Sequence, residues 1–291
     1  MQTILRQTQH QTRLENRRII LGWSIGWILA SLLICGTAFL KIHADRKELL
    51  EHARTEAGAR AANYAEQVIR AVSQIDQLSM SIKYQWEHKQ GGMDLEEQYR
   101  KGVYQRSLFP VVINSEGYSV YATRRLPKAT YMGDLEFFLH HKEDSSPGLL
   151  ISAPVPGRGG FAGKQIIRVS RRLVRADGRF DGVVLIAIEP FFIASSQDDS
   201  RLLVGDFLSV YFSNGLLLTS QSGGGSAASF YVSGPSTSGL HGAMAQSGDQ
   251  FIDGRARMVG WKHLDGYPLL TVAAISEENA LARYRSTQST Y

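Results

Sequence analysis

The sequence has little of what catalytic and metal sites need. It contains one cysteine, Cys35, among 291 residues, which excludes a disulfide framework and any zinc or iron–sulfur site built from several cysteines. It has no HExxH motif and no kinase catalytic loop, and nothing groups Ser, His and Asp as a triad. The adjacent His140 and His141 would point about 100° apart on a helix, so they are poorly placed to share a metal ion. We therefore expect no catalytic residues, no metal site and no cofactor.

The excess of basic over acidic residues is also small. Lys and Arg number 32 against 27 Asp and Glu, a net charge of +5. Part of this excess lies at the N-terminus, so the charge does not indicate a nucleic-acid partner. Hydrophobic residues make up 43% of the chain and aromatic residues 10%, which excludes a disordered or fibrous protein.

One long apolar run predicts a membrane anchor. Residues 19–40 contain no Asp, Glu, Lys or Arg, and roughly 20 apolar helical residues cross a bilayer core of about 30 Å. Residues 1–18 carry four arginines and one acid, so we expect them to be cytoplasmic and the chain after Lys41 to lie outside. The run is longer than the roughly 7–15 residues of a signal-peptide core, and no A-x-A site follows. An uncleaved transmembrane helix is the prediction.

Residues 44–92 are predicted to form one long amphipathic helix. Small or apolar residues recur in steps of three and four, no proline interrupts them, and the run Gln90-Gly91-Gly92 should end the helix. The predicted stripe consists of Leu50, Ala53, Ala57, Ala61, Tyr64, Val68, Ala71, Ile75, Leu78, Ile82 and Trp86. Such a helix would be roughly 70 Å long. It can pack on its own domain, pair with a second copy, or do both.

From Phe109 onward the apolar period becomes that of strands, which predicts an α+β fold with antiparallel sheets. The unit at 93–200 is predicted to contain a hairpin (109–113 and 118–121), a short helix (133–142) and three strands (148–155, 165–174 and 183–188). The unit at 201–276 is predicted to contain a hairpin (207–212 and 216–219), a loop (220–247) and two strands (257–263 and 269–275). A final helix is predicted at 277–291.

Two runs carry a family resemblance. The first lies within Gly148–Phe192 and reads GLLISAPVPGRGG, then IIRVSRRLVRADGRFDGVVLIAIEPFF. The second is GYPL at 266–269, followed by Ser276-Glu277 and by LARYR at 281–285. In this order, over residues 20–290, the chain resembles the double-Cache (PDC, PAS-like) extracytoplasmic sensor regions of bacterial membrane signalling proteins. It is most similar to those of sensor diguanylate cyclases.

The resemblance implies a location and a function. The chain would be an inner-membrane protein with a cytoplasmic N-terminus and two stacked PAS-like units in the periplasm, the unit at 93–200 being membrane-distal and the unit at 201–276 membrane-proximal. A small molecule (an amino acid, organic acid or neutral metabolite) would bind the distal unit, and the long helix would carry the change toward the membrane. A homodimer could form through the transmembrane and long helices.

The resemblance also implies an output that this chain lacks. The helix at 277–291 would lead back toward a second span and a cyclic-di-GMP (diguanylate cyclase) output; other relatives carry a histidine kinase. The chain is then either a fragment or a stand-alone membrane-anchored receptor. The alternative function is a periplasmic, membrane-anchored interaction or scaffold protein without a small-molecule ligand.

Carried over from the family, the ligand-binding candidates are Tyr121, Asp134, Phe138, Ser152, Arg158 and Arg168. The family's short helix opens Asp-Arg-x-Tyr-Phe, whereas this chain reads Asp-Leu-Glu-Phe-Phe at 134–138. Leu135 thus replaces an arginine that would bind a carboxylate through two hydrogen bonds. Either the ligand is neutral or another arginine takes that role, the choices being Arg158, Arg168, Arg171 and Arg172.

Structural roles for the same residues stay open at this point. Tyr121 and Phe138 could be core aromatics, and Asp134 could cap the short helix. The arginines could lie on solvated strand faces.

Overall fold

The computed structural model describes residues 2–88, 94–123, 129–158, 161–194, 202–223, 225–226, 230–235 and 237–288. Side chains at 2–26, 28, 225–226 and 283–288 lie outside this description. The helices are α1 (Gln2–His88), α2 (Leu95–Arg100), α3 (Glu136–Glu143), α4 (Phe191–Ala194) and α5 (Glu277–Gln288). The strands are β1 (Phe109–Asn114), β2 (Ser119–Ala122), β3 (Leu150–Ile151), β4 (Val155–Pro156), β5 (Gln165–Val174), β6 (Phe180–Ile188), β7 (Phe207–Phe212), β8 (Leu217–Ser222), β9 (Gly225–Ser226), β10 (His241–Gln246), β11 (Arg257–His263) and β12 (Leu269–Ser276).

The predicted α+β class, with a long helix and two antiparallel sheets, is confirmed. The long helix differs from the prediction in its start, because α1 runs from Gln2 to His88 without a break after the predicted span. Its predicted end at 90–92 lies outside the described residues. Among the residues with described side chains, no helix is both long enough and apolar enough to cross a membrane. Residues 19–26 and 28 of the predicted span lie outside that set.

The two sheets share one strand order. The first sheet runs β2-β1-β6-β5-β3, with β4 also paired to β5. The second runs β8-β7-β12-β11-β10, with β9 added beyond β8. In each sheet the first strand of an opening hairpin pairs with the last strand of the unit. The chain therefore contains the same antiparallel arrangement twice.

Several predicted boundaries differ from the structure. The predicted strand at 148–155 is two short strands, β3 and β4, which both pair with β5. The predicted loop at 220–247 contains β10, an edge strand on β11. The sequence does not predict β10, because its small and polar residues do not alternate between apolar and polar. Helix α3 begins at Glu136 with Leu135 as its N-cap and no side-chain capping bond, so the alternative role of Asp134 as a cap is wrong.

Helix α1 packs against both sheets and builds one core with them. The buried α1 residues of this core are Ala61, Tyr64, Ala65, Val68, Val72, Ile75, Leu78 and Ile82. They join residues of the first sheet, such as Ile167 and Val184, and residues of the second sheet, such as Val210 and Leu269. The predicted stripe contains most of these core residues, but it omits the buried Ala65 and Val72 and includes the half-buried Ala71.

Polar contacts fix α1 on each sheet. At the second sheet, Thr271 Oγ1 donates a hydrogen bond to the Ala61 carbonyl over 3.0 Å. At the first sheet, Trp86 Nε1 donates to Asp181 Oδ2 over 2.9 Å. Helix α5 begins beside α1, where Arg46 pairs with Glu277 at 2.5 Å. Both sheets therefore pack on α1 with one face. The other face of each sheet points away from this helix.

Candidate functional site

A cavity of about 340 Å³ opens beside α3 on the face of the first sheet that points away from α1. Its wall is formed by α3, by the β3–β4 segment, by β5 and by the β7–β8 hairpin of the second unit. The lining residues are Glu136, Phe137, His140, Leu150, Ile151, Ser152, Ala153, Val155, Arg168, Phe212, Asn214 and Leu216. Most of this surface is apolar, and its charged groups lie on α3 and β5.

Arg168 supplies a positive charge to the cavity wall. Its guanidinium carbon lies 5.9 Å from the centre of the Phe137 ring. Burial lowers the pKa of Arg168, the nearby charge of Arg158 lowers it further, and Glu136 opposes the shift. Among the residues that the structure describes, no carboxylate forms a salt bridge with this guanidinium and no acceptor takes a hydrogen bond from it. A bound anion would therefore stabilise the charged guanidinium and offset the cost of its burial and of its repulsion by Arg158.

Glu136 and His140 bring other ionisable groups to the same cavity from successive turns of α3. Glu136 is exposed and close enough to Arg168 to act on its pKa, although the two do not form a salt bridge. His140 Nε2 lies 3.6 Å from Asp144 Oδ2, and the His140 side chain is also exposed. The cavity thus offers a cation and a carboxylate around an apolar surface. That combination can hold a small molecule with a carboxylate, an apolar part and an amino group.

Ser152 has a structural task within the cavity wall. Its Oγ accepts a hydrogen bond from the backbone N–H of Arg168 over 3.0 Å and donates one to the Ala153 carbonyl over 2.9 Å. Its own N–H donates to the Arg168 carbonyl over 2.9 Å. The hydroxyl is thus used to hold the β3–β4 segment against β5, which places Arg168.

The structure brings only some of the predicted site residues together. Ser152 and Arg168 line the cavity, and Arg158 is an exposed residue near enough to repel Arg168. Phe138 is buried in the core, with its ring 5.4 Å from that of Phe180. Tyr121 lies on the opposite face of the sheet, where its ring meets Trp86 at 6.2 Å. A ligand role for each of these residues stays a prediction.

Asp134 is exposed in the turn that precedes α3 and does not line the cavity. It has neither the alternative role as a helix cap nor a place in the cavity wall. Its ligand role is likewise untested.

Arg171 and Arg172 do not lie on a solvated strand face, because both are buried. Arg172 donates a hydrogen bond to the His141 carbonyl and lies 4.9 Å from the centre of the Phe180 ring. Arg171, on the opposite face, donates to Ser79 Oγ over 3.0 Å and pairs with Asp76 of α1. Successive residues of β5 therefore connect α3 on one side of the sheet to α1 on the other.

His141 is a second contact between α3 and β5. Its Nε2 lies 3.0 Å from Ser170 Oγ. Burial lowers the pKa of His141 to about 4, and the charges of His140, Arg172 and Arg171 act in the same direction. His141 is therefore neutral near pH 7.

The sequence indicated no role for the second unit in this site. Phe212, Asn214 and Leu216 lie more than forty residues after Arg168, in a hairpin of the other sheet. No local pattern marks them, because they reach the cavity only through the way the two units pack. Glu136 and His140 had a weak signal in their position on the short helix next to Phe137.

Comparison with known proteins supports the fold. No protein-family model matches the chain, and no curated protein matches it. Among solved structures, the extracellular domain of the presumed histidine kinase rpHK1S-Z16 is 21% identical with a TM-score of 0.65, over 80% of this chain and 98% of that one. The ligand-binding domain of the Pseudomonas aeruginosa amino-acid chemoreceptor PctC, in complex with GABA, is 14% identical with a TM-score of 0.54, over 76% and 99%.

A third solved structure is the ligand-binding domain of the Pseudomonas fluorescens chemoreceptor CtaA, in complex with L-serine. It is 13% identical with a TM-score of 0.55, over 78% of this chain and 99% of that one. At these identities the likenesses show the fold alone. The chain shares the fold of these solved domains, and its long helix with two antiparallel sheets fits the predicted double-Cache fold.

Proposed function

We propose that the chain is the extracytoplasmic, ligand-sensing input module of a bacterial transmembrane signalling protein. The observation that carries the proposal is the partly buried Arg168 guanidinium in the cavity wall, which forms no salt bridge with a carboxylate among the described residues. The Cache-like fold supports it, since solved domains with this fold were obtained with GABA and L-serine. The ligand is a small carboxylate with an apolar part, and amino acids are the first class to test.

Calorimetry on the 291-residue chain in detergent tests the ligand class. The panel holds the twenty common L-amino acids, GABA, and acetate, butyrate and hexanoate. We expect at least one carboxylate to bind. We expect Arg168→Gln to weaken that binding about 10- to 100-fold, because a hydrogen bond to a charged group contributes about 1.5–3 kcal/mol.

Arg179→Gln is the matched control for this experiment. Arg179 is also an arginine of the first unit, but it is exposed at the β5–β6 turn and pairs with Asp177 at 2.7 Å. Its replacement should leave affinity unchanged, and both variants should melt at the wild-type temperature. The proposal would be refuted if no compound of the panel bound the wild-type chain. It would also be refuted if the ligand bound the Arg168→Gln protein as tightly as wild type.

A scaffold function without a small ligand is the second candidate. It is favoured by exposed apolar side chains at the edge of the first sheet. Tyr118, Val120 and Tyr131 are 43%, 45% and 53% exposed, and the two tyrosine rings lie 5.1 Å apart. A silent panel, followed by loss of a captured partner on Tyr118→Ser and Tyr131→Ser replacement, would favour this function.

We also propose that α1 anchors the chain in the membrane, with residues 1–18 cytoplasmic and the two sheets in the periplasm. The support is the uncharged run at 19–40, of which Trp27, Leu33 and Leu40 are 74%, 70% and 69% exposed. Exposed apolar side chains of this size find a favourable environment in lipid. The chain should stay with the membrane fraction after alkaline extraction, and its release would contradict the anchor.

The proposed output is a diguanylate cyclase, and the proposed assembly is a homodimer through α1. The first rests on the resemblance of the run at 148–192 to the sensor regions of such enzymes. Reading the gene beyond the codon for Tyr291 tests it: an open frame leading to a second span and a GGDEF region would support it, and any other output domain would refute it. Sedimentation of the detergent-solubilised chain tests the dimer.

A further inference from the structure

The cavity beside α3 is shared between the two units. Nine of its lining residues lie in the first unit, between Glu136 and Arg168, but Phe212, Asn214 and Leu216 come from the β7–β8 hairpin of the second unit. Strand β7 pairs with β8 and β12 in the second sheet and with no strand of the first. A molecule that fills this cavity would therefore touch both units at once.

Backbone hydrogen bonds within the β7–β8 hairpin and to a neighbouring segment fix the part of it that reaches the cavity. Phe212 N–H donates to the Leu216 carbonyl over 2.8 Å, and Ser213 N–H donates to the Pro268 carbonyl over 2.9 Å. Gly215 has a φ of +85°, which lets the chain reverse in the left-handed conformation that glycine adopts without strain. Asn214 and Leu216 are thus held in place on both sides of this glycine.

Leu216 and Asn214 can each contact a ligand, one through an apolar surface and the other through a hydrogen-bond donor. Leu216 is 50% exposed, although it is large and apolar. Asn214 uses its Oδ1 to accept the Leu216 N–H over 3.1 Å, and its Nδ2 group has no hydrogen-bond partner among the described side chains. The hairpin thus adds an apolar surface and a donor to a cavity whose first-unit wall carries Arg168.

We propose that the β7–β8 hairpin is part of the ligand site, and that Leu216 sets the preferred length of the ligand's apolar part. Asn214 Nδ2 donates a hydrogen bond to a polar atom of the ligand. This inference rests on the proposed function and deepens it, because a ligand that contacts both units favours the arrangement in which both walls are present. The second unit thereby acts in recognition as well as in support.

Calorimetry with two series of increasing apolar length tests the role of Leu216. The probes are L-alanine, L-valine and L-leucine, and acetate, butyrate and hexanoate. In the series that binds, Leu216→Ala should weaken the longest probe about 5- to 30-fold, because the contact between apolar groups is lost. The shortest probe should change by less than about twofold, since it does not reach the removed side chain.

Leu240→Ala is the matched control. Leu240 is another exposed leucine of the second unit, at 73%, and it does not line the cavity. Asn214→Asp tests the donor, because aspartate keeps an oxygen for the Leu216 N–H and removes the Nδ2 hydrogens. It should weaken every probe that binds, at least about threefold, with an unchanged melting temperature.

The outcomes separate this inference from the proposed function. If wild type binds a probe and Leu216→Ala weakens short and long probes alike, or weakens neither, the role of Leu216 is refuted while the sensor function stands. If Asn214→Asp leaves all affinities unchanged, the donor role is refuted. If wild type binds a carboxylate of the wider panel but no probe of either series, the role of Leu216 is refuted while the sensor function stands. If wild type binds no compound of the wider panel, the proposed carboxylate ligand is refuted, and the shared site with it.

Discussion

At the scale of single residues, the α3 side of β5 concentrates positive charge where water has little access. Arg168 and Arg172 both point to this side, and burial lowers the pKa of Arg168. Arg172 is satisfied by the His141 carbonyl and the Phe180 ring. Arg168 lies over the Phe137 ring and, among the described residues, donates no hydrogen bond and forms no salt bridge, although Glu136 and Arg158 are near enough to act on its pKa. Because of this difference we propose Arg168, and not Arg172, as the ligand-binding arginine.

The titration of His141 gives a residue-scale prediction. Its pKa is about 4 in the folded chain against an ordinary value of 6.5. Between these two pH values the unfolded chain takes up a proton that the folded chain does not. The free energy of unfolding therefore falls as pH is lowered from 6.5 to 4, by at most about 3 kcal/mol from this group. Above pH 6.5 the group has no such effect.

His141→Gln should remove this dependence, because glutamine can still bond to Ser170 Oγ and does not titrate. Urea unfolding at pH values from 4.5 to 7.5 measures it, and the variant should lose less stability than wild type as the pH falls. His52→Gln is the control, since His52 is 77% exposed and its loss should leave the wild-type slope. Equal slopes for His141→Gln and wild type would contradict the burial of a neutral imidazole.

The sequence could predict part of this site. Ser152 and Arg168 were named from the resemblance, and both line the cavity. Burial of Arg171 and Arg172 could not be foreseen, because charged residues in an alternating strand normally face solvent. Their burial depends on α1 and α3 covering opposite faces of β5, and that is decided by tertiary packing.

At the scale of elements, α1 comes unusually near the second sheet because small residues meet there. A Cβ added to Gly260 would lie 2.2 Å from the Ala57 carbonyl oxygen, a contact that real structures do not contain. One residue along the helix, a Cβ on Gly58 would lie 3.5 Å from Ala243 Cβ, which is ordinary contact. We therefore expect the same substitution to alanine to change stability differently at the two glycines.

Gly260→Ala should destabilise the chain by about 1–3 kcal/mol or more, because the helix backbone cannot move away without opening the core. Gly58→Ala should leave stability unchanged or raise it by up to about 1 kcal/mol, since alanine favours the helix. Urea unfolding of both variants beside wild type makes the comparison. A Gly260→Ala protein as stable as Gly58→Ala would show that α1 does not approach the sheet this closely.

Element boundaries were predictable where the pattern was long and regular. The stripe of α1 and the strands β5, β6, β11 and β12 have strong periodicity, and the structure contains an element at each. The sequence does not predict strand β10, because His241, Gly242 and Ala243 show no alternation of apolar and polar residues. It exists because β11 offers it an edge.

At the scale of the whole molecule, one core serves both sheets. Ile167 of β5 and Leu269 of β12 are both fully buried and belong to the same cluster, which α1 links through residues 61–82. The cavity beside α3 also has walls from both units. A ligand-induced change in one unit would therefore reach the other through the hairpin and through α1.

A shared core predicts that the two sheets unfold together. Ile167→Ala and Leu269→Ala should each cost about 2–5 kcal/mol, since each removes a buried branched side chain. Pulse-labelled hydrogen exchange along a urea series reads the two sheets separately, from peptides of β6 and of β11. In wild type both should share one midpoint, and each substitution should lower both midpoints by the same amount.

The exposed Leu240 again gives the control, because Leu240→Ala should move neither midpoint. If Ile167→Ala lowered the β6 midpoint alone, the two units would be independent folding units. Ligand binding at the shared cavity would then have to act through the β7–β8 hairpin without help from the core. Equal shifts would instead mean that α1 links the stability of the cavity to that of the second unit, which is the physical condition for a signal to travel along this helix.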